Sequence, residues 1–310
     1  MNKFCIFASV FFATVVASDV FATQESLDNA LRSTYAACVG INDKLVELKK
    51  MAGINTAVSA VGTASATGAL ATGIAKAQKD KQIEELIQKI KDAENSKSGP
   101  ETNNEKLKSE IDAAYTDVSK GADTNEPTIK ELTEKSKKLG NWRTGLMAGS
   151  TATNLAGAII AGKSNRDNTE LNDMIARCLE SVSALDKEIG QARSDGLDVG
   201  EARSILSACR EYNTVDLSKI TKQNKGAMIS SVVGASTGAV GTITSGIANS
   251  DSVRNANNKK QEKGLNTVSN VMAGATVAAS GTATVFNAIQ IATIKRVALI
   301  AENCEWLLNP

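Results

Sequence analysis

Four long windows without a charged residue constrain this chain more than any other feature of its sequence. Asp, Glu, Lys and Arg are absent from residues 51–75, 144–162, 226–250 and 264–294. These windows are rich in Gly, Ala, Ser and Thr, and none alternates polar and apolar residues as a half-buried strand does. Only 3 prolines occur in 310 residues, so little in the sequence interrupts a helix. We therefore predict an all-α fold.

Large aliphatic residues recur at coiled-coil spacing in two of the windows. In the third window, steps of four and three residues connect Ile229, Val233, Ser236, Val240, Ile243 and Ile247. In the first window, similar steps connect Met51, Ile54, Val58 and Val61. This spacing predicts a seam along which helices pack. Small residues beside such seams let backbones approach closely. The glycines expected to do so are Gly145, Gly149, Gly234, Gly238, Gly274 and Gly281.

The windows also resemble each other in pairs. VGTASATGALATGIA at residues 61–75 aligns with VGASTGAVGTITSGIA at 233–248, and LMAGSTATNLA at 146–156 aligns with the segment that begins VMAGATVAAS at 271. A cysteine flanks each window at a matched distance. We therefore predict two duplicated helical-hairpin repeats, at residues 23–194 and 195–310. Each repeat has a cysteine-bearing helix, a small-residue helix, a connector, a second small-residue helix and a second cysteine-bearing helix.

The connectors differ between the two repeats. Residues 76–143 are highly charged and begin with aliphatic residues at helical spacing, so an amphipathic helix should open this connector and break at 95–100. A second turn at 124–127 precedes a helix expected to end near Gly140. The other connector is only 251–263. Between the repeats, residues 170–193 and 198–212 should form helices around a turn, with Asp198 and Glu201 as a capping-box-like pair.

The N-terminus has the pattern of a secretory signal peptide. One lysine precedes an apolar run at residues 4–17, and a small residue, Ala22, offers a cleavage site. We predict a signal peptide at residues 1–22, with Ser18 as the other candidate cleavage position. An uncleaved anchor is the alternative. Cys5 would leave with the signal peptide.

Four cysteines remain after export, namely Cys38, Cys178, Cys209 and Cys304. An even number in an oxidising compartment predicts two disulfides. We favour Cys38–Cys178 and Cys209–Cys304, because each bond would join the two ends of one repeat. A Cys178–Cys209 bond is the rival, since both residues flank the same helical turn.

The sequence argues against an enzyme. Residues 157–164, GAIIAGKS, fit the phosphate-loop pattern, but no apolar strand precedes them, so we interpret Gly162 as a helix end with Lys163 beside the last carbonyls. There are no histidines, which removes Cys/His zinc sites and Ser-His-Asp triads. A net charge of +1 and 4% aromatic residues do not favour nucleic acid. We expect no catalytic residues, cofactor, metal or nucleotide.

Two hypotheses for function follow. A helix of 25 residues is about 37 Å long, enough to cross a hydrocarbon core of about 30 Å. The four windows could therefore embed an exported envelope protein in a membrane, where it acts as a scaffold or assembles with its own copies. The short connector at 251–263 carries four basic residues and two acidic ones, which agrees with the positive-inside rule. The alternative is a soluble, extracellular helical bundle that binds a protein partner through residues 76–143 or 170–212.

Overall fold

The computed structural model describes residues 24–96, 128–255 and 259–308. Throughout these residues the chain is helical apart from its turns, which confirms the all-α prediction. The predicted signal peptide and much of the long connector lie outside the described residues. The helices are α1 (24–38), α2 (Ile41–Ser96), α3 (Ile129–Ser194), α4 (Gly200–Arg210), α5 (Leu217–Ala248), α6 (Asp251–Asn255) and α7 (Lys259–Leu308). A short 3-10 helix, Glu211–Thr214, follows α4.

Local sequence signals account for the ends of several helices. Gly40, between α1 and α2, has a φ of +86°, a conformation that glycine adopts without strain. At the start of α3, the Thr128 hydroxyl accepts a hydrogen bond from the Glu131 amide at 3.2 Å. After α3, Gly196 has a φ of +82°, and the Leu197 amide donates to the Ala192 carbonyl at 3.0 Å. This is the Schellman arrangement at a helix C-terminus, and it confirms the predicted turn.

Two predicted helix ends are wrong. Gly140 and Gly162 both lie inside α3, which runs uninterrupted over 66 residues. The connector helix that was expected after residue 76 is likewise continuous with the first window, because α2 extends to Ser96. A glycine inside a helix costs only about 1 kcal/mol relative to alanine, so packing along the rest of the helix outweighs it.

The expected capping box before α4 also differs in detail. Asp198 accepts a hydrogen bond from the Gly200 amide at 2.9 Å, but Val199 occupies the N-cap position and makes no side-chain cap. The Asp198 carboxylate therefore helps to fix the turn, and the reciprocal pair with Glu201 is not formed.

The chain divides into two compact units. Among the described residues, unit 1 comprises 24–57, 158–229 and 283–308, and unit 2 comprises 58–96, 128–157, 230–255 and 259–282. Each unit takes segments from both predicted repeats.

Unit 1 has a conventional apolar core. Leu45, Leu48, Ile175 and Leu185 are fully or almost fully buried around the four cysteines. The structure bonds Cys38 to Cys178 and Cys209 to Cys304, which are the two pairs favoured above. Large buried aliphatic residues thus hold unit 1 together, although others of the same unit, such as Ile159, Ile229 and Leu299, are exposed.

Unit 2 is built differently. In the described part of unit 2, the apolar cluster consists of Ala69, Met147 and Ala273, with Leu70 and Leu146 packed against them. The remaining buried positions carry mostly Gly, Ser, Thr and Asn. The helices of unit 2 therefore pack through small and polar residues.

Candidate functional site

The candidate functional feature of unit 2 is a reversed distribution of side chains: small and polar residues are buried, and large aliphatic residues are exposed. On α5 the buried positions recur at steps of three and four residues, and we call this set the inner seam: Ser231, Gly234, Gly238, Gly241, Ser245 and Ala248. On α2 the same periodicity buries Ser59, Gly62, Ala66, Ala69, Gly73 and Lys76. A heptad of small residues brings helix backbones close together.

Asn154 of α3 is the centre of the polar contacts between these helices. Its side-chain amide donates to the Ser150 carbonyl at 2.9 Å, and its oxygen accepts from Ser280 of α7 at 2.9 Å. Ser150 in turn donates to the Gly62 carbonyl of α2 at 2.9 Å. Asn154 is only 1% exposed, so these bonds form inside the unit. Such bonds hold helices together in surroundings that offer no hydrophobic driving force.

Further hydroxyl contacts continue this pattern along unit 2. Thr237 and Thr276 are 2.8 Å apart, and Thr144 and Ser245 are 2.9 Å apart. Ser269 donates to the Gly241 carbonyl at 3.0 Å. Because each contact joins two different helices, hydrogen bonds rather than aliphatic packing link the helices of unit 2.

The six glycines predicted to pack helices fall into two groups. A Cβ atom added to Gly234 would lie 2.8 Å from Asn154 Cγ, and one on Gly238 would lie 2.6 Å from Thr151 Oγ1. Both glycines are therefore required by a neighbouring helix. A Cβ on Gly149 would find only Ser65 Oγ at 4.0 Å, and Gly145, Gly274 and Gly281 have no neighbour within 4 Å of such an atom. Among the described residues, these four glycines therefore have no close contact with a neighbouring helix.

Other glycines make close contacts that spacing alone did not single out. Asn249 crowds Gly140, Asn270 crowds Gly73, and the Met147 side chain crowds Gly241. In unit 1, Phe286 lies 2.9 Å from a Cβ placed on Gly226. Gly73, Gly140 and Gly241 lie at buried heptad positions, which the sequence could have indicated only if the buried face of each helix had been known.

The outward face of α5 in unit 2 carries the large aliphatic residues. Val233, Val240, Ile243 and Ile247 are all exposed, Ile243 to 62%. On α2, Ile54 and Val61 of the other predicted seam are also exposed, whereas Met51 is buried in the core of unit 1. The expectation that the Val and Ile seam packs the helices of this chain together is therefore wrong. Gly, Ser and Asn occupy the packed positions instead. These positions lie on the buried face, half a heptad away from the Val and Ile seam.

A buried charged layer adjoins three of the uncharged windows in unit 2. Lys76 is 1% exposed and contacts Asp80 at 2.6 Å and Glu262 at 3.0 Å. Arg143 is fully buried and donates to Ser269 at 3.1 Å. These residues lie directly beside the windows that end at 75 or begin at 144 and 264. The buried Lys76 is thus paired, and the buried Arg143 is hydrogen-bonded, where the uncharged windows end.

Unit 1 also has buried polar groups. They lie on the parts of its helices that are distant in sequence from the cysteines. The Asn55 amide donates to Asn287 at 3.0 Å, and the Asn224 amide donates to the Ala161 carbonyl at 2.8 Å. Atoms of Ser164 and Asn168 nearby on α3 are buried without a protein partner. Buried polar groups of this kind are commonly satisfied by ordered water.

Lys44 forms the principal ion cluster on unit 1. Its ammonium lies 2.8 Å from Glu170, 3.2 Å from Asp167 and 3.4 Å from Glu47. The hydrogen bond to Glu170 is the main cause that raises the pKa of Lys44 above its usual range. The same bond lowers the pKa of the Glu170 carboxyl. The cluster ties α2 to α3 next to the apolar core.

The sulfur atoms of three cysteines come close together in unit 1. The Sγ atoms of Cys38, Cys178 and Cys304 all lie within 4.8 Å of one another, and all three residues are buried. Each is bonded in a disulfide, with Cys209 as the partner of Cys304. In this oxidised form their chemistry is cross-linking, because metal ligation requires free thiolates.

The residues that match the phosphate-loop pattern do not form a phosphate loop. Residues 157–164 lie in the middle of α3, and Ser164 is buried. A phosphate site needs backbone amides that are free at a turn or a helix N-terminus, whereas amides inside a helix already bond to carbonyls of the preceding turn. The nucleotide reading therefore has no structural support.

A groove of about 540 Å³ lies between α3 and α4 on unit 1. Its lining residues are Asp186, Ile189, Gly190, Arg193, Arg203, Leu206, Ser207 and Arg210. Arg210 pairs with Asp186, and Ile189 and Leu206 are the apolar part of the lining. The groove lies within residues 170–212, which the sequence offered as one of two partner-binding regions.

Comparison with known proteins adds no relative. No protein-family model matches the chain, and neither a curated protein nor a solved structure is significantly similar to it. Its function must therefore be inferred from its own residues.

Proposed function

We propose that the chain is an exported, non-enzymatic protein of the cell envelope that is embedded in a membrane through its uncharged helices. There it acts as a scaffold or as the subunit of an oligomeric assembly. The observation that carries this proposal is the side-chain distribution of unit 2. Small and polar residues are buried, whereas Val and Ile without any neighbouring charge face outward.

In water this distribution is unfavourable. Exposed aliphatic side chains forfeit about 25 cal/mol for each Å² of apolar surface that burial would remove from water. In lipid the balance changes, because hydrocarbon already surrounds the outward residues and helices associate through close packing and hydrogen bonds. The Asn154 contacts and the close approach at Gly234 and Gly238 are interactions of that kind.

The lengths and the flanks of the helices also support the proposal. Among the described residues, three helical segments are long and apolar enough to cross a membrane, and only 28% of the most apolar window in each is buried. The charged layer around Lys76, Glu262 and Arg143 lies where the uncharged windows stop, as expected at a membrane boundary. The signal peptide proposed at residues 1–22 would export the chain and place it in an oxidising compartment that suits its two disulfides.

We further propose that the two halves of the chain descend from a duplicated helical hairpin. Supporting this, α3 and α7 contact each other at a constant sequence offset in unit 2. Arg143 bonds to Ser269, and Ser280 bonds to Asn154. This offset is 126, one more than the 125 at which residues 146–149 align with 271–274, so nearly equivalent positions of the two halves lie side by side.

The chain's two tryptophans provide a direct test of the membrane proposal. Trp142 is 66% exposed and lies two residues before the window at 144–162, whereas Trp306 is 69% exposed and lies well beyond the last window. Trp306→Phe leaves only Trp142, and Trp142→Phe leaves only Trp306. Because the two are equally exposed, each variant is the matched control of the other.

The protein would be reconstituted into vesicles that contain brominated lipid, which quenches tryptophan fluorescence at short range. The proposal predicts strong quenching of Trp142 and little quenching of Trp306. Trp142 lies at the end of an uncharged segment of α3 that packs against α2 and α7, and tryptophans at the end of an embedded segment lie at the membrane interface. If neither is quenched, the protein is not embedded. Quenching of Trp306 instead of Trp142 would show that the wrong segments were assigned to the membrane.

The groove beside α4 favours a second candidate function. A soluble extracellular bundle could bind an acidic partner there, because Arg193 and Arg203 line the groove together with the Arg210–Asp186 pair. A monodisperse species in detergent-free buffer would support this candidate. Aggregation that detergent reverses would exclude it.

A further inference from the structure

The groove between α3 and α4 is bounded by matched positions of two antiparallel helices. At the end away from the connecting turn, Asp186 of α3 pairs with Arg210 of α4. Seven residues closer to the turn on each helix, the same register leads to Arg193 and Arg203, which also line the groove. The groove therefore has an ion pair at one end and two arginines in facing positions at the other.

The two arginines near the turn lack an anionic partner. Among the described residues, the side chains of Arg193 and Arg203 form no ion pair and no hydrogen bond. Like charges in facing positions repel each other, and water and salt screen that repulsion only in part. An anion bound between the two would replace the repulsion with attraction and would engage both guanidinium groups.

The position of Arg203 within α4 favours the same conclusion. Arg203 is the fourth residue of α4, which begins at Gly200, and it therefore lies in the first turn. A cation is unfavourable there, because the amide groups at a helix N-terminus carry partial positive charge. Glu201 belongs to the same turn, but residues two apart on a helix do not face each other. Arg203 thus gains no electrostatic stability from its own helix, whereas an anion beside it would be attracted to both.

We propose that this end of the groove binds a phosphate monoester, with the phosphate between Arg193 and Arg203. The lining contains three arginines and one aspartate, so two positive charges are uncompensated. A phosphate monoester carries about 1.5 to 2 negative charges at pH 7, whereas a carboxylate carries one. The planar guanidinium group also matches the phosphate oxygens, to which it donates two parallel hydrogen bonds.

The middle of the groove suits the organic part of such a ligand. Ile189 and Leu206 are buried and provide an apolar floor. A Cβ atom added to Gly190 would find nothing within 4 Å, so the groove is open beside this residue. The inference builds on the second candidate function, for which it names the anionic group of the ligand. It holds whether unit 2 lies in lipid or in water.

Isothermal titration calorimetry of the full-length protein tests the proposal, in mild detergent if solubility requires it. The probe is phenyl phosphate, and benzoate is the matched probe with the same ring and a single charge. Arg193→Gln and Arg203→Gln each remove one of the two guanidinium groups. Lys187→Gln is the control, because it removes a positive charge from an exposed position of α3 outside the groove lining.

We expect phenyl phosphate to bind about tenfold more tightly than benzoate, and each arginine variant to weaken phenyl phosphate binding about tenfold. Lys187→Gln should bind like the wild-type protein. Circular dichroism would verify that the variants remain folded. A further titration with dihexanoyl phosphatidic acid, kept below its micelle concentration, distinguishes a lipid headgroup from a soluble ester, because only a site for the lipid would bind it much more tightly than phenyl phosphate.

Three results would overturn the proposal. The first is the absence of saturable phenyl phosphate binding, and the second is an equal loss of affinity in Lys187→Gln, which would indicate attraction to general positive charge. The third is equal affinity for benzoate, which would favour an acidic side chain of a protein partner over a phosphate. Carbonate extraction and tryptophan quenching report on other segments, and solution behaviour without detergent reports on the soluble candidate, so failure here is distinguishable from failure of either proposed function.

Discussion

Two glycine-to-alanine substitutions in unit 2 should change stability in opposite directions. The Cβ of Gly234→Ala would lie 2.8 Å from Asn154 Cγ, inside the network that links Ser150, Asn154 and Ser280. Gly145→Ala, on α3, adds the same methyl group where nothing lies within 4 Å. The two variants therefore share their chemistry and differ in their surroundings.

The expected magnitudes follow from three contributions. Alanine is favoured over glycine within a helix by about 1 kcal/mol, and Gly145→Ala should gain most of that amount. At Gly234 the same gain is opposed by overpacking, which costs about 1–3 kcal/mol, and by a displaced buried hydrogen bond, which costs about 1–3 kcal/mol. We expect Gly234→Ala to be destabilised by about 2–3 kcal/mol and Gly145→Ala to be stabilised by about 0.5–1 kcal/mol.

Chemical unfolding followed by circular dichroism measures both values against the wild-type protein, in mild detergent if solubility requires it. Equal shifts for the two variants would refute the reasoning, because the close approach at Gly234 would then have no energetic consequence. A stabilised Gly234→Ala would do the same. Gly274→Ala, another position without a neighbour within 4 Å, should behave like Gly145→Ala and so guards against an effect peculiar to α3.

Three further predictions concern unit 1 and the polar contacts of unit 2. Peptide mapping without reduction should find Cys38 linked to Cys178 and Cys209 linked to Cys304, and a Cys178–Cys209 peptide would contradict both the structure and the favoured pairing. Replacing Cys38 and Cys178 together by serine opens a cross-link between residues separated by 140 positions, so unfolding measurements should show a loss of about 2–5 kcal/mol. Lys44→Met should lower stability at neutral pH. The lowered pKa of Glu170 contributes stability that is present above the carboxyl's unfolded pKa and is lost as pH falls through the folded pKa, and the raised pKa of Lys44 contributes stability that is lost only at strongly alkaline pH. The melting temperatures of wild type and Lys44→Met should therefore differ at pH 7 and converge as pH falls below 4, and a gap that persists in acid would contradict this account.

Much of the architecture could be predicted from charge distribution alone. Windows without charge or alternation, together with the scarcity of proline, were sufficient for the all-α class. Matched cysteine distances pointed to the pairs Cys38–Cys178 and Cys209–Cys304 that the structure contains. The signal peptide at residues 1–22, the repeat and the membrane location remain predictions.

The sequence did not show which seam of α5 faces the interior and which faces outward. On α5, both the Val and Ile stripe and the Gly and Ser stripe repeat every three to four residues, half a heptad apart. Periodicity places each stripe on one face of the helix but does not say which face is buried. The usual rule for proteins in water buries the aliphatic face, and that rule gave the wrong answer for residues such as Val240 and Ile243.

Helix length was underestimated for a related reason. Gly140 and Gly162 carry a local preference for a helix end, but each lies in α3 among residues that continue the buried heptad on both sides. Asn249 packs against Gly140, so this glycine serves a close contact rather than a turn. Contacts with residues distant in the sequence decided these positions, and the local pattern does not contain that information.

Alkaline carbonate extraction of the envelope fraction, from cells that export the full-length chain, tests the central claim most directly. Carbonate removes proteins that are bound only to the membrane surface and leaves embedded ones in the pellet. The account predicts that the chain stays in the pellet and that detergent releases it, because uncharged aliphatic residues cover the outside of unit 2. Complete release into the carbonate supernatant would contradict the account and would make the outward residues of α5 a surface for protein contacts alone.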